Sequence, residues 1–175
     1  MKLTAISASP RKTGNSATMV DEFCKASGAD TIDRYNLADL NISGCRACGA
    51  CASECSCVID DDMQKIYQSM SNSDVIVLGS PLYWWSISAQ LKAVIDRLYI
   101  YIGKGVLDGK KLIVLVSGFS EVPNVGYDLI DGMFKEVAPY LNMEYRGLFV
   151  SADDSRHVRN NEAALEQVRR LAAEL

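Results

Sequence analysis

Short apolar runs alternate along the chain with longer segments in which apolar residues recur every three or four positions. Three runs, Leu3–Ile6, Val75–Leu78 and Leu112–Val116, are almost wholly apolar, which is typical of strands buried on both faces of a parallel sheet. Two weaker candidates are Thr31–Leu37, which carries charge and suits a sheet edge, and Glu144–Val150. The pattern therefore predicts five strands.

Helical periodicity fills the intervals between these strands. Its strongest example places Leu91, Val94, Ile95, Leu98 and Tyr99 on one face. The other predicted helices cover residues 16–27 or carry the apolar faces Met63/Ile66/Tyr67/Met70, Leu129/Met133/Phe134/Val137 and Leu165/Val168/Ala172/Leu175. Strands that alternate with helices predict right-handed crossovers and a single α/β domain over residues 1–175. With five strands, we expect a flavodoxin-like three-layer sandwich: a parallel sheet of order 2-1-3-4-5 with helices on both faces.

A polar loop follows the first strand and opens a helix. In a sheet of this order a ligand binds beyond the carboxyl ends of the strands, between the first and third. The free N–H groups and the dipole of a helix N-terminus favour phosphate there. The loop lacks both GxxxxGK[ST] and GxGxxG, and a plain polar turn with a helix cap is the alternative. The candidate phosphate ligands are Ser9, Arg11, Thr13, Gly14, Asn15 and Ser16.

An aromatic loop follows the third strand and contains both tryptophans of the chain. A flat heteroaromatic ring such as isoalloxazine is held by such side chains and by a rigid, proline-containing turn. The candidate ring-binding residues are Pro81, Leu82, Tyr83, Trp84 and Trp85. The alternative interpretation places Tyr83 and Trp85 in the core and Trp84 in a subunit contact.

Cysteines are concentrated in a loop over residues 44–58. Five of the six lie within thirteen residues, which in a reducing cytosol indicates a metal or redox site rather than a disulfide framework. Cys45-x2-Cys48-x2-Cys51 followed by Cys57 is the tight spacing with which one loop can bind a [4Fe–4S] cluster. Zinc, a regulatory disulfide or plain thiols remain alternatives, and Cys55 is a second choice for the fourth ligand. Cys24, in an apolar stretch, suits a buried position.

Several motifs together resemble the NADPH-dependent FMN reductase family, and most closely its branch of iron–sulfur flavoproteins. The similarity covers most of residues 1–100 in the right order and thins out after about residue 105. The cysteine spacing is also similar to that branch's CxxCxxC motif with a fourth cysteine a few residues on. The matching segments are 9–12, 14–16, 61–63, 80–84, 88–92 and 96–97.

The resemblance implies a cofactor and an assembly. It implies FMN, with its phosphate on the 9–16 loop, its ring against the 81–86 loop, and a third loop containing Ser117 and Gly118 closing over the flavin. FMN would then carry the chemistry, and no side chain is assigned a catalytic role. The family also implies a homodimer or homotetramer, with NAD(P)H, where it is used, stacking on the flavin. Lys92, Asp96 and Arg97 are interpreted as part of a helix that supports the loop or the interface.

Bulk properties limit the partners, and three functional hypotheses remain. A net charge of −4 and a pI near 5.0 argue against nucleic acid or an acidic membrane as partner. The absence of a signal-like N-terminus and of an apolar run of ~20 residues predicts a cytoplasmic location. The hypotheses are an iron–sulfur flavoprotein that accepts electrons from a donor such as ferredoxin, a cluster-free NAD(P)H-dependent FMN or quinone reductase, and a thiol-based redox sensor.

Overall fold

A five-stranded, all-parallel sheet in the order β2-β1-β3-β4-β5 forms the centre of the protein. The computed structural model describes residues 1–54, 56–152 and 157–175. The predicted strand order is confirmed, and the charged strand β2 lies at one edge as expected. The strands are β1 (Lys2–Ser7), β2 (Thr31–Asn36), β3 (Val75–Pro81), β4 (Lys111–Gly118) and β5 (Glu144–Ala152).

Helices cover both faces of the sheet, which makes the three predicted layers. One core cluster joins the sheet to α3, α4 and α5, and a second joins it to α1 and α6. Short 3₁₀ turns lie at Leu37–Asp39, Leu98–Tyr101 and Val158–Asn160. The helices are α1 (Asn15–Ala26), α2 (Cys51–Glu54), α3 (Met63–Asn72), α4 (Ala89–Arg97), α5 (Val125–Tyr140) and α6 (Glu162–Ala173).

Strand β3 shows why the central strands are apolar throughout. Val75 and Val77 belong to the core on the α1/α6 side, while Ile76 and Leu78 belong to the core on the opposite side. Successive side chains of a strand point to opposite faces, so a strand covered on both sides needs an apolar residue at every position.

β3 is longer than the sequence pattern predicted, because it continues through Gly79 to Pro81. The glycine is needed inside the strand for close packing rather than for a turn. A Cβ atom at Gly79 would lie 2.4 Å from Val20 Cγ2 and 3.1 Å from the Ser16 carbonyl oxygen. α1 therefore crosses β3 at this point and begins directly above the end of the strand.

Two helical faces differ from their predicted composition. α5 buries Tyr127, Ile130, Phe134 and Ala138, whereas Leu129 is 57% exposed. The apolar side chains at Met133 and Val137 are partly buried at the edge of that face. α4 ends at Arg97, and the 3₁₀ turn that follows leaves Tyr99 half exposed.

Two further sequence-based expectations can be compared with the described residues. Cys24 is buried, and burial raises the pKa of its thiol to about 11, so it packs as a small apolar side chain as predicted. In the described part of the chain, no helix has the length and apolar character needed to cross a membrane.

Candidate functional site

The carboxyl ends of three neighbouring strands bring three loops to one edge of the sheet. Ser7, the last residue of β1, is paired with Gly79 of β3, and Pro81 at the end of β3 is paired with Ser117 of β4. Because the strands are parallel, the loops that follow them leave the sheet on the same side. This edge is where a doubly wound sheet binds its ligand.

The first loop, residues 8–14, is shaped by hydrogen bonds within itself. Ser9 Oγ accepts a hydrogen bond from the Arg11 N–H at 3.1 Å and donates one to the Arg11 carbonyl at 2.8 Å. Gly14 N–H also donates to that carbonyl at 3.0 Å. A Cβ atom at Gly14 would lie 2.4 Å from Ser9 Oγ. With a φ of −70°, Gly14 is required for space, not for an unusual backbone conformation.

The start of α1 has unused hydrogen-bonding capacity. Gly14, at the N-cap, offers no side chain to the first N–H groups of the helix, which have no partners within the helix. Ser16, in the first turn, is 1% exposed, and its Oγ has no hydrogen-bond partner among the described residues; the same holds for Ser7 Oγ. An unpaired buried hydroxyl costs about 1–3 kcal/mol, so this arrangement suits an anionic ligand that accepts hydrogen bonds.

A segment near the end of the chain holds the first loop from the side. His157 Nε2 and Arg159 Nη2 both contact the Thr13 carbonyl, the latter at 3.2 Å, and the Val158 N–H donates to Asn15 Oδ1 at 3.1 Å. Sequence analysis gave these three residues no role at the site. The link joins positions more than 140 residues apart, and no local pattern announces it.

The second loop is a strained aromatic turn. Tyr83 and Ser86 exchange backbone hydrogen bonds of 2.8 and 3.0 Å, and the two residues between them, Trp84 and Trp85, have φ values of +48° and +60°. Left-handed backbone at a bulky residue costs about 1–3 kcal/mol and is found mainly at functional sites. The tryptophans are 89% and 52% exposed and Tyr83 is 42% exposed. The alternative that Tyr83 and Trp85 belong to the core is therefore wrong.

The third loop, residues 117–120, lies against the second. Leu82 N–H donates to the Ser117 carbonyl at 2.7 Å. A Cβ atom at Gly118 would lie 2.2 Å from Tyr127 Oη, and that hydroxyl donates to the Ser120 carbonyl at 2.7 Å. The close approach of Tyr127 fixes the loop beside the aromatic turn. The structure thus brings the predicted phosphate, ring and closing segments to the same edge of the sheet.

The four cysteines named as metal ligands line one cavity of about 420 Å³. Cys45 and Cys48 are exposed, while Cys51 and Cys57 are half-buried, and no disulfide joins the described cysteines. Burial raises the pKa of the Cys51 thiol above its usual value, and the other three cysteines contribute further to this rise. Cys55, the alternative fourth ligand, lies outside the described residues.

Backbone geometry and side-chain anchors define the cysteine loop. Gly49 and Ala47 have positive φ values of +73° and +51°, whereas Gly44 does not, so the winding occurs between Cys45 and Cys51. Cys51 begins α2, and Lys104 Nζ donates to the carbonyl of the next residue, Ala52, at 2.6 Å. The winding backbone and the start of α2 both fall within the CxxCxxC segment.

A buried ion pair fastens the base of this loop. The side chains of Arg97 and Asp61 are 1% and 4% exposed, and Arg97 Nη1 lies 2.8 and 2.6 Å from the two carboxylate oxygens. Burial alone would raise the pKa of Asp61, but hydrogen bonds from Arg97 and from the N–H groups of Ser43 and Met63 outweigh it and lower the pKa below its usual value. Sequence analysis did not identify the pairing of Asp61 with Arg97.

The arrangement of these cysteines differs from that of a site that binds a single metal ion. Within residues 1–54, 56–152 and 157–175, no three His, Cys, Asp or Glu side chains converge on a point that would hold one metal ion. In a [4Fe–4S] cluster each of four thiolates binds a different iron, so its ligands surround a body instead of meeting at a point. Thiols that line a common cavity fit the second arrangement.

Comparisons with known proteins show the family of this chain. Residues 1–140 match the family described as NADPH-dependent FMN reductase, so the match continues beyond the point near residue 105 where the resemblance thins out. An iron-sulfur flavoprotein of Methanosarcina thermophila is 35% identical over 159 residues, which are 89% of this chain and 79% of that protein. An iron-sulfur flavoprotein of Archaeoglobus fulgidus is 34% identical over 145 residues, 81% of this chain and 61% of that protein.

Solved structures with low sequence identity share the fold. An NAD(P)H:quinone oxidoreductase from Methanothermobacter marburgensis superposes with a TM-score of 0.77 at 16% identity, covering 98% of this chain and 94% of that one. A flavodoxin, WrbA-like protein from Agrobacterium tumefaciens gives a TM-score of 0.66 at 14% identity, with 98% and 94% coverage. The flavodoxin-like fold is therefore shared with these two structures.

Proposed function

Because the chain belongs to the NADPH-dependent FMN reductase family, we propose that it is an iron–sulfur flavoprotein that moves electrons through FMN and a [4Fe–4S] cluster. The observation that carries the cluster is the single cavity lined by Cys45, Cys48, Cys51 and Cys57. The relatives that are named iron-sulfur flavoproteins support it. FMN supplies one- and two-electron chemistry when bound, so the protein needs no acid–base side chain of its own.

The residues at the carboxyl ends of the strands suit FMN in three separate ways. Ser16 Oγ and the open N-terminus of α1 offer hydrogen bonds to a phosphate. Arg11, exposed in the same loop, offers a positive charge. Trp84 and Trp85, held in a strained turn, present aromatic surface to a flat ring. The loop with Ser117 and Gly118 limits the site on its third side.

The assembly and the electron donor are further parts of the proposal. We propose a homodimer or homotetramer, since Trp84 and Phe119 expose 89% and 75% of their surface at the same edge and large exposed apolar groups favour an interface. NAD(P)H or a ferredoxin-type protein would supply the electrons.

The content of iron, sulfide and flavin tests the central proposal. After anaerobic reconstitution with iron and sulfide, the protein is expected to contain FMN and about four irons per chain, with overlapping flavin and cluster bands in its visible spectrum. A protein that binds FMN without iron would instead be a cluster-free reductase if it oxidises NAD(P)H. One with neither cofactor, but with reversible thiol oxidation, would be the redox sensor.

Removing the phosphate ligands is expected to weaken FMN binding. The double variant Ser16→Ala/Arg11→Ala loses one hydroxyl donor and one positive charge, and hydrogen bonds to charged groups contribute about 1.5–3 kcal/mol each. The dissociation constant of FMN, measured by calorimetry, should therefore rise at least about tenfold. Ser27→Ala, at the opposite end of α1, should leave it unchanged, because Ser27 Oγ bonds the Cys24 carbonyl far from the loop. Parent-like affinity in the double variant would place the phosphate elsewhere.

A further inference from the structure

Arg97 connects both ends of the cysteine loop to the last turn of α4. Its Nη1 donates to the Ser43 carbonyl at 3.2 Å, just before Cys45, and its Nη2 donates to the Ile59 carbonyl at 3.4 Å, just after Cys57. Its Nε donates to Tyr67 Oη at 3.2 Å. Together with the Asp61 carboxylate, these groups accept bonds from all three guanidinium nitrogens. The side chain is therefore held in one position.

The same guanidinium is directed at a cysteine sulfur. Arg97 Nη2 lies 3.6 Å from Cys57 Sγ, within hydrogen-bonding distance for sulfur. Cys45 Sγ also accepts a hydrogen bond, at 3.4 Å, but from the neutral N–H of Ala47 on an exposed part of the loop. Cys57 thus differs from Cys45 in having a buried positive charge against its sulfur.

We propose that Arg97 is a positioning residue of the cysteine site, which holds Cys57 as a ligand and raises the reduction potential of the cluster. The inference rests on the proposed function, since it requires the cluster to form. It extends that function by assigning control of the potential to a residue outside the ligand set.

The direction of the effect follows from charge. Reduction adds one electron to a cluster whose ligands are already anionic, so a nearby positive charge stabilises the reduced form more than the oxidised form. Hydrogen bonds to the ligand sulfurs and the net charge around the cluster are two of the factors that set its potential. The Asp61 carboxylate offsets part of this charge, but the guanidinium is the member of the ion pair that contacts Cys57, and it is buried and screened little by solvent ions.

Two variants separate the sulfur contact from the ion pair. Arg97→Lys keeps a positive charge for Asp61 but lacks the planar fork that reaches Cys57. Asp61→Asn/Arg97→Gln removes both charges, so neither is left buried without its partner. Lys104→Met is the matched control, because Lys104 also anchors the loop through a backbone carbonyl, in an exposed hydrogen bond, but is only half-buried and contacts no cysteine sulfur in the described structure.

The midpoint potential of the cluster, measured anaerobically by EPR-monitored redox titration, decides the question. The potential should fall in both Arg97 variants. In the double variant we expect a fall of about 59 mV, which corresponds to a tenfold decrease in the equilibrium constant for one-electron reduction. Lys104→Met should keep the parent value. Loss of iron in both Arg97 variants would also support the role of Arg97 in holding Cys57, provided that these variants keep their FMN affinity and that Lys104→Met keeps its iron.

Two results would overturn the inference while leaving the proposed function intact. One is a parent-like potential in both Arg97 variants. The other is an equal shift or an equal loss of iron in Lys104→Met, because anchoring of the loop alone would then explain the effect. A parent protein that takes up no iron would refute the proposed function itself, and this inference with it.

Discussion

Asp61→Asn is expected to lower the free energy of unfolding by about 3–5 kcal/mol, the usual cost of leaving one partner of a buried ion pair without the other. The Arg97 side chain is 1% exposed, so water cannot replace the lost carboxylate. An asparagine has the same shape, but its amide carries no charge, and its NH2 group is a donor where a carboxylate oxygen accepted a hydrogen bond from Arg97. Urea unfolding of the reduced protein without flavin or cluster measures the change, since bound ligands would add their own free energy.

The adjacent acidic residue supplies the control. Asp62 pairs with Lys65 at 2.6 Å, but these side chains are 26% and 67% exposed, and such surface pairs contribute about 1 kcal/mol or less. Asp62→Asn should therefore cost much less than Asp61→Asn. In an Arg97→Met background the effect of Asp61→Asn should also shrink, because no buried cation remains to be stranded. Equal losses for the two asparagine variants would contradict the assigned role of the ion pair.

Strand order and the location of the site could be predicted because both depend on local patterns. A strand such as β3 is apolar at every position because both of its faces are covered. Once five such strands alternate with helices, handedness and sheet order leave one edge for a ligand. The polar loop at Ser9–Ser16 and the aromatic loop at Pro81–Trp85 follow strands at that edge, so sequence alone could place them together.

Arg97 was identified from sequence as part of a supporting helix but not as part of the cysteine site. Its partner Asp61 lies 36 residues away, and that separation carries no periodic signal. One local sign was present: position 97 falls three residues after Val94 and next to Leu98, both buried, so Arg97 lies on the apolar face of α4. A cation at such a position needs a buried partner, and the run of three acidic residues at 60–62 was the available source.

The position of the aromatic loop could be predicted, but its backbone conformation could not, for a different reason. Two consecutive positive φ values are the geometry of a type I′ turn, which normally uses asparagine or glycine. Trp84 and Trp85 are among the least suitable residues for that backbone, so turn preferences argue against the observed conformation. The surrounding hydrogen bonds between Tyr83 and Ser86 hold it. Local preference fails here because the site imposes the backbone.

Cys57→Ser is expected to abolish cluster assembly, whereas Cys55→Ser should retain it. Cys57 lines the cavity with the three cysteines of the CxxCxxC segment, and its sulfur is held by Arg97. Serine is a poor ligand for iron–sulfur clusters, which depend on thiolates. The measurement is the iron and sulfide content, with the visible spectrum, after anaerobic reconstitution. Cys55→Ser should contain about four irons per chain, and Cys57→Ser should contain only background iron.

Two further measurements make the comparison decisive. Cys24→Ser removes a thiol that is buried in the core on the α1/α6 side, so its iron content should equal that of the parent. FMN affinity should stay at the parent value in the Cys55 and Cys57 variants, because the phosphate loop and the aromatic turn contain no cysteine. Loss of iron in Cys55→Ser with retention in Cys57→Ser would exchange the fourth ligand. Cys57, whose sulfur Arg97 contacts, would then not be a cluster ligand, and the potential of the cluster should be insensitive to Arg97→Lys.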